Sequence, residues 1–234
     1  MESSFTPFSF INKLEPAEWH ALQGIGHRDI YKKGSYIFRA NELNDSLYVL
    51  LDGRIKITRL SQHGRELIQW FCLPGEIFGL SVDDNSRQRG LYATAISDAK
   101  LLCIPKCDFD QYILQHPRIA LLIIKQLASR LRTLGDTLLN ITSDGAHIRF
   151  IKLLQRLSKF YGREHGGEVY IDLYLTHQEM ADMIGVCRQT VSSMIGRMKK
   201  HGIIASTRDG ICIQSPVEFQ QLSEQPDNYL QHYL

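Results

Sequence analysis

Three patterns in this chain predict an α+β fold. Short runs of alternating apolar and polar residues with glycine turns occupy residues 31–104, heptad spacing covers residues 117–143, and two short amphipathic helices meet at Gly185. Regular short strands predict a β-roll or barrel, and two helices joined by a glycine turn predict a helix-turn-helix. The sequence therefore predicts a β-roll, a long helix and a winged helix-turn-helix domain, in that order.

The predicted strands of the β-roll cover residues 35–38, 46–51, 54–60, 66–71 and 92–104. Glycine-containing pairs mark the turns between them, because tight reversals often require a positive φ. These pairs are Lys33-Gly34, Asp52-Gly53, His63-Gly64, Pro74-Gly75 and Arg89-Gly90. The result is a small module of a size that suits a sensor domain.

In the long helix, apolar residues are spaced alternately by four and three positions. They are Ala120, Ile124, Leu127, Leu131, Leu134, Leu138 and Ile141. A helix packed on its own β-domain also needs an apolar stripe, but a stripe sustained over three heptads favours a dimer interface. A two-fold dimer is also what two helix-turn-helix units need to address palindromic half-sites.

The remaining segments predict the parts of a second domain. Residues 143–145 form a hinge, residues 147–161 a helix, and residues 162–167 a polar linker. Two apolar runs within residues 203–213 surround Arg208-Asp209-Gly210, which predicts a β-hairpin, or wing. The C-terminal segment is predicted to be helical from residue 217 to about residue 225.

The helix-turn-helix prediction starts from a capping box, in which Thr176 and Glu179 precede an apolar run. Gly185 supplies the turn between the helices. In the second helix the apolar stripe comprises Val191, Met194, Ile195 and Met198. A hairpin of two helices in a larger α-domain is the alternative, but the combined cap, turn, polar face and local charge favour DNA binding.

The polar face of the second helix suits the major groove, because Arg and Gln form paired hydrogen bonds with base edges. Residues 188–208 contain five Lys or Arg residues and no Asp or Glu, which favours contact with phosphates. The candidate DNA-binding residues are Thr176, His177, Arg188, Gln189, Thr190, Ser192, Ser193 and Arg197.

The overall composition is that of a globular protein, with 44% hydrophobic and 22% charged residues and a net charge of +2 over 234 residues. A uniform coating of nucleic acid is not expected at this charge. No apolar run is long enough to cross a membrane and no signal peptide is visible, so we expect a cytoplasmic protein. The five scattered cysteines predict reduced thiols.

No catalytic motif is visible in the sequence. We find no nucleophile elbow, P-loop, HExxH motif or carboxylate constellation, and an enzyme is therefore not expected.

The order of these parts resembles the cAMP receptor protein and fumarate-nitrate regulator (Crp/Fnr) family of bacterial transcription factors. The similarity rests on LYVLLDGRIKI at residues 47–57, LPGEIFG at residues 73–79, the long helix, and CRQTVS at residues 187–192. The family resemblance implies a cyclic-nucleotide-binding-like domain at residues 1–116, a dimerisation helix at residues 117–143 and a DNA-binding domain at residues 144–234.

By the same resemblance, Arg188 reads a guanine and Thr190 holds a phosphate. Gln189 stands where many members carry a Glu, and Ser193 stands where the cAMP receptor protein carries a second base-reading Arg. The departure at Ser193 implies an altered half-site.

The resemblance also implies an effector pocket that departs from cAMP-binding members. Those members carry a Gly-Glu pair for the ribose and an Arg followed by Ser or Thr for the cyclic phosphate, whereas this chain has Gly79-Leu80 and Arg89-Gly90. Losing the sugar's hydrogen-bond acceptor costs about 1–3 kcal/mol. We therefore do not expect classical cAMP recognition, although Arg89 could still bind an anion.

On the long helix, Arg132 and Thr133 occupy the positions that would face adenine. Arg132 either favours a more anionic ligand or is an exposed cation on the helix flank, and the second interpretation is preferred.

Other cofactors have weaker support in the sequence. Residues 1–71 contain no cysteine, so no iron-sulfur cluster is expected. His20, His27, His63 and Cys72 are haem ligands by residue type only. Cys103 and Cys107 lack a nearby partner in sequence, so no metal site is expected.

Cys187 precedes the recognition helix, where its oxidation could disturb DNA binding. The preferred interpretation is that of a small buried residue in the turn.

The leading hypothesis is a homodimeric regulator whose β-roll senses an effector and reorients two helix-turn-helix units on double-stranded DNA, with RNA polymerase as a further partner. The alternative is a constitutive or thiol-controlled DNA-binding protein with a vestigial pocket. A pocket filled by aliphatic side chains would indicate the latter.

Overall fold

The structure is a computed structural model that describes residues 9–62, 64, 66–80, 88–207 and 210–224. The chain forms two compact units, Pro7–Arg132 and a second unit from Thr133 onward. The boundary between them falls inside the long helix. Among the described residues, no helix has the length and apolarity that a bilayer crossing requires.

Within its described residues, the first unit contains eight strands in two antiparallel four-stranded sheets, as the glycine-rich alternation predicts. The strands are β1 (His27–Tyr31), β2 (Tyr36–Phe38), β3 (Ser46–Asp52), β4 (Ile55–Leu60), β5 (Glu66–Cys72), β6 (Ile77–Phe78), β7 (Tyr92–Ala95) and β8 (Ala99–Pro105). One sheet has the order β1-β8-β3-β6 and the other β2-β7-β4-β5. The single run predicted at residues 92–104 is thus two strands that belong to different sheets.

One apolar core lies between the two sheets and contains residues from both, such as Leu50 and Leu101 from one and Ile55 and Ala93 from the other. A second core covers the opposite face of the β3 sheet. It joins strand residues to helices α1 (Pro16–Gly24), α2 (Lys106–Gln115) and the start of α3 (Pro117–Ser143). Helices α1 and α2 were not predicted, because each is short and only weakly amphipathic.

Four of the five predicted glycine turns have the expected left-handed backbone. Gly34, Gly53, Gly64 and Gly75 all have positive φ angles between 74° and 91°. Gly90 does not, so of the two features predicted at these pairs, a positive φ or a tight reversal, Arg89-Gly90 lacks the positive φ.

In the second unit, α4 (Ala146–Tyr161) precedes α5 (His177–Ile184), α6 (Arg188–Lys200) and α7 (Pro216–Glu224). A four-stranded sheet of order β11-β12-β10-β9 completes it, from β9 (Gly162–His165), β10 (Glu168–Ile171), β11 (Ile204–Ser206) and β12 (Ile211–Ile213). The wing is therefore confirmed in β11 and β12.

The segment predicted as a polar linker at residues 162–167 instead forms β9 and the turn that pairs it with β10. Arg208 and Asp209 of the wing turn and residues 225–234 of the C-terminal segment lie outside the described residues.

Candidate functional site

Helix α5 begins with the predicted capping box and ends at the predicted glycine. The Glu179 backbone N–H donates to Thr176 Oγ1 at 3.1 Å, and the Thr176 backbone N–H donates to Glu179 Oε2 at 2.9 Å. Gly185 follows with φ 67° and ψ 44°, a left-handed conformation that most residues adopt only with strain. These local features fix where the chain turns into α6.

Helix α6 has one buried and one exposed face. Val191, Met194, Ile195 and Met198 are buried against the rest of the unit, as their spacing predicts. The polar residues near the N-terminus of the helix that remain exposed are Arg188, Gln189, Ser192 and Ser193. The four side chains leave a cation, an amide and two hydroxyls available to a ligand.

Two contacts order the side chains around this exposed face. His177 Nδ1 lies 2.8 Å from Ser192 Oγ, which links the start of α5 to the middle of α6. Cys187 Sγ lies 3.1 Å from Thr190 Oγ1, and Thr190 is half-buried. The two contacts therefore fix the side chains of His177, Ser192 and Thr190 relative to the helix backbone.

Cys187 is exposed, so the preferred sequence interpretation of a buried residue is wrong. The residue occupies the N-cap of α6 and leaves its side chain in solvent rather than in the turn's interior. The hydrogen bond with the Thr190 hydroxyl, helped by backbone N–H groups, lowers the pKa of the Cys187 thiol. A lower pKa increases the thiolate fraction and hence the reactivity.

Arg197 differs from the other candidate residues because its side chain is half-buried. Its Nη1 atom is buried with no hydrogen-bond partner among the described residues. Burial, together with the charge of Arg197, lowers the pKa of His147 on α4. Arg197 is thus partly directed towards α4, whereas Arg188 is open to solvent.

A groove of about 620 Å³ borders the exposed face of α6. Its polar lining comes from Thr176 and His177 at the start of α5, Arg188 of α6, and Ser206 and Thr207 of the wing, and apolar residues such as Leu173 and Ile195 form its floor. Lys199 and Lys200 add positive charge in the last turn of α6. The arrangement offers cations and hydrogen-bond donors along one side of the unit, which matches the chemistry of a DNA backbone and its major groove.

The junction between α3 and α4 carries several hydrogen bonds within the second unit. The Arg149 guanidinium donates to the backbone carbonyls of Asp144 at 2.8 Å, Ile184 at 2.8 Å and Ile141 at 3.4 Å. Lys152 Nζ also contacts Asp144 Oδ2 at 2.8 Å. A pivot at the predicted hinge, residues 143–145, would have to break or rearrange these contacts.

In the first unit, Arg89 is only 4% exposed and lies in an aromatic environment. Its guanidinium stacks over the Phe38 ring at 4.1 Å and donates to the Ser46 carbonyl at 2.6 Å and the Gly79 carbonyl at 3.4 Å. Burial lowers the pKa of Arg89. The guanidinium thus already has carbonyl and ring partners, and an anionic ligand would have to compete with them.

Gly79 lies beside Arg89, whereas Leu80 packs on the other core of the unit. Gly79 has φ 84°, and a Cβ there would come within 3.0 Å of Tyr48 and 3.3 Å of Arg89, so this position requires glycine. Leu80 packs on the second core, beside the helices, and does not face the core that lies between the sheets. Gly90 is exposed and has no hydroxyl to offer a phosphate.

Arg132 and Thr133 fall on opposite sides of the boundary between the two units. Arg132 is exposed and Thr133 is half-buried. Exposure agrees with the preferred interpretation of Arg132 as a cation on the helix flank, and a role for either residue towards an effector stays a prediction.

Six residues of the predicted seam on α3 are exposed in the single chain. Leu131 is 71% and Leu138 is 64% exposed, and the others are Ile124, Leu127, Leu134 and Ile141. By contrast, Ile119, Leu122 and Ile123 are buried in the second core. A row of large exposed aliphatic side chains is unusual on a monomer and marks an interaction surface.

The cysteine and histidine haem candidates do not converge among the described residues. His20 and His27 are exposed, whereas Cys72 is buried and accepts a hydrogen bond from Trp70 Nε1 at 3.3 Å. Burial raises the pKa of Cys72 to about 12. His63 lies outside the described residues.

Two protein-family models match separate parts of this chain. A cyclic nucleotide-binding domain matches residues 28–116, and a Crp-like helix-turn-helix domain matches residues 148–222. The chain is 25% identical to the anaerobic regulatory protein of Bacillus subtilis, over 82% of this chain and 81% of that one. It is 28% identical to the CRP-like cAMP-activated global transcriptional regulator of Mycobacterium tuberculosis, over 82% of this chain and 85% of that one.

Solved structures show the same fold. The c-di-GMP responsive global regulator CLP of Xanthomonas campestris superposes with a TM-score of 0.74, at 20% identity, over 86% of this chain and 100% of that one.

Proposed function

Because this chain belongs to the Crp/Fnr family of transcription regulators, we propose that it binds a palindromic DNA site as a homodimer and regulates transcription there. The observation that carries this proposal is the exposed N-terminal face of α6, with Arg188, Gln189, Ser192 and Ser193 open to solvent above a buried apolar stripe. In a helix-turn-helix domain, this part of the second helix enters the major groove.

Arg188 is the residue we assign to direct base reading. It is exposed at the first position of α6, where its guanidinium has room to form two hydrogen bonds with a guanine. Thr190 and His177 are assigned to phosphate contacts. Because position 193 is a Ser, no cationic side chain at that position can hydrogen-bond to the neighbouring base. Arg197, half-buried towards α4, has a weaker claim to a direct contact.

The proposed dimer interface is the exposed row on α3. Two copies of Leu131 and Leu138, facing each other across a two-fold axis, would remove apolar surface that water covers in the single chain. The same symmetry would present two copies of α6 to two half-sites. A transcription regulator of this kind would act in the cytoplasm and would have RNA polymerase as a partner.

We assign the β-roll to sensing an effector other than classical cAMP. Two observations support this assignment: Arg89 is engaged by the Ser46 and Gly79 carbonyls, and Leu80, in place of a carboxylate, packs on the second core. Relatives include a protein described as cAMP-activated and a structure described as c-di-GMP responsive, so the ligand of this domain varies between members.

A regulator without an effector is the second candidate. The contacts of Arg89 support this candidate as well. Backbone carbonyls and an aromatic ring already satisfy the guanidinium, so the β-roll does not need an anionic ligand to balance a buried cation. Such a protein would bind DNA equally well with and without any nucleotide.

The test of the DNA assignment compares two cation variants of α6. We expect Arg188→Ala to weaken binding to the specific site by about 1–3 kcal/mol and to relax the preference at one base pair. Lys200→Ala should weaken binding to all sequences alike and reduce its salt dependence. Fluorescence anisotropy with specific and scrambled duplexes measures both. Unchanged specific affinity in Arg188→Ala would show that α6 does not read the site.

A further inference from the structure

We propose that His27, Asp29 and Cys103 form a binding site for a zinc-class divalent metal ion at the edge of the β-roll. The three side chains come from strands β1 and β8, which pair antiparallel with His27 opposite Cys103. Their nitrogen, oxygen and sulfur ligand atoms all lie within 4.8 Å of one another. The proposal is separate from the assignments made to α6 and to Arg89.

The distances already approach those of a tetrahedral zinc centre. With Zn–S, Zn–N and Zn–O bonds of about 2.3, 2.05 and 2.1 Å, ligand atoms on a tetrahedron are about 3.6 Å apart for S···O and about 3.4 Å for N···O. Cys103 Sγ lies 3.7 Å from Asp29 Oδ2, and His27 Nε2 lies 3.5 Å from the same oxygen. Both measured distances are close to the tetrahedral values. The ligand atoms of His27 and Cys103 lie within 4.8 Å of each other, and rotation of the exposed His27 side chain can bring its nitrogen closer to the sulfur.

The ligand set favours zinc over the alkaline earth ions. Ca²⁺ and Mg²⁺ take oxygen ligands, whereas a thiolate with an imidazole and a carboxylate suits Zn²⁺. On binding, a bond forms between the metal and Cys103 Sγ, and the thiol proton is released to solvent. With three protein ligands, a water molecule would complete the tetrahedron, as in zinc sites that keep an open position.

Burial divides the site into a fixed and an accessible half. Cys103 is 4% exposed and is held within the core between the sheets, while the side chains of His27 and Asp29 are 67% and 46% exposed. The ion can therefore enter from solvent, and the buried thiol limits its mobility once it is bound. The Tyr31 hydroxyl also interacts with the Cys103 thiol and is positioned to orient the sulfur.

The site joins an edge strand to its neighbour. Strand β1 is at one end of its sheet and pairs only with β8 among the described strands. A metal held by both strands would therefore stabilise the pairing of β1 with β8.

The test uses the metal-free, full-length protein titrated with Co²⁺ in a phosphine reductant that does not bind metals. We expect a near-ultraviolet thiolate-to-cobalt charge-transfer band and visible bands of tetrahedral Co²⁺, saturating at one ion per chain and removed by Zn²⁺. Zn²⁺ should also raise the melting temperature, because it binds the folded form. Absence of a charge-transfer band would refute the proposal.

Substitutions decide whether these three residues hold the ion. Cys103→Ser should abolish the charge-transfer band. His27→Ala and Asp29→Asn both change exposed side chains and should each weaken Co²⁺ binding by more than about 10-fold. Loss of a residue that only hydrogen-bonds to a metal ligand already costs about 10-fold or more, and loss of a ligand itself should cost at least as much. Cys107→Ser is the matched control, since Cys107 is an exposed thiol nearby in sequence, and it should leave binding unchanged.

Two results of the substitution series would overturn the assignment. One is a band that disappears in Cys107→Ser and persists in Cys103→Ser. The other is unchanged Co²⁺ affinity in both His27→Ala and Asp29→Asn, which would leave the thiol without its proposed co-ligands. The melting temperatures of the metal-free variants establish that each protein is folded.

Discussion

Replacing Leu131 with Glu tests the proposed dimer interface on α3. Leu131 is 71% exposed in the single chain, so about that fraction of its surface is available for burial by a second copy. Full burial of a Leu contributes about 1.5–3 kcal/mol, so two partly exposed copies contribute about 2–4 kcal/mol of association energy. At 1.4 kcal/mol per tenfold change, Leu131→Glu should raise the dimer dissociation constant by about 30- to 1,000-fold. Repulsion between the two facing glutamates adds to this loss.

Sedimentation equilibrium over a range of protein concentrations measures the dissociation constant. Lys125→Glu is the matched control, because it introduces the same residue at an exposed position of α3 outside the heptad seam. It should leave the dimer intact. A Leu131→Glu protein that remains dimeric at the lowest concentrations, or a Lys125→Glu protein that dissociates as readily, would refute the seam as the interface.

Three further predictions concern the second unit. Removing the capping box with Thr176→Ala should lower the free energy of unfolding by about 1 kcal/mol in urea titrations, and no change would mean that the cap is unimportant in solution. Iodoacetamide should modify Cys187 faster than Cys107, because the Thr190 hydrogen bond lowers the pKa of Cys187, and the adduct should weaken DNA binding; full modification detected by mass spectrometry without loss of affinity would contradict this. The hydrogen bond from Lys152 lowers the pKa of Asp144, so its stabilisation should be present above the unfolded pKa of about 3.9 and be lost as the pH falls through the folded value. Acid unfolding of Asp144→Asn should therefore be less steep below about pH 4 than that of the natural sequence.

Local chemistry explains what the sequence predicts well in the second unit. The Thr176–Glu179 cap, the Gly185 turn and the apolar stripe of α6 each depend on residues within one or two helical turns. Their signals therefore survive in a single sequence, and all three are confirmed. The wing is predicted for the same reason, since apolar runs flank a short turn signal.

Long-range pairing explains what the sequence does not predict. The sequence does not predict strand β1, because the strand lies at a sheet edge and its apolar pattern is irregular. The approach of Asp29 to Cys103, 74 residues apart in sequence, follows only from the pairing of β1 with β8. A scan for closely spaced metal ligands inspects Cys103 with Cys107 and misses this cluster.

The position of Arg89 is the other feature that depends on tertiary structure. The sequence presents it as a cation beside a glycine, which suits an anion-binding pocket. The fold instead brings Phe38, Ser46 and Gly79 around the guanidinium, so the cation contacts a ring and two carbonyls of its own domain.

Selection of binding sites from random duplex DNA tests the central claim most directly. The purified full-length protein is used without ligand and, in parallel, with a panel of cyclic mono- and dinucleotides. The account predicts that the natural protein enriches a two-fold symmetric site and that cAMP does not change this enrichment. In Arg188→Ala, the base preference at one position of each half-site should be lost or relaxed. Enrichment of no symmetric sequence in any pool, or of the same sequence by natural and Arg188→Ala proteins alike, would contradict it.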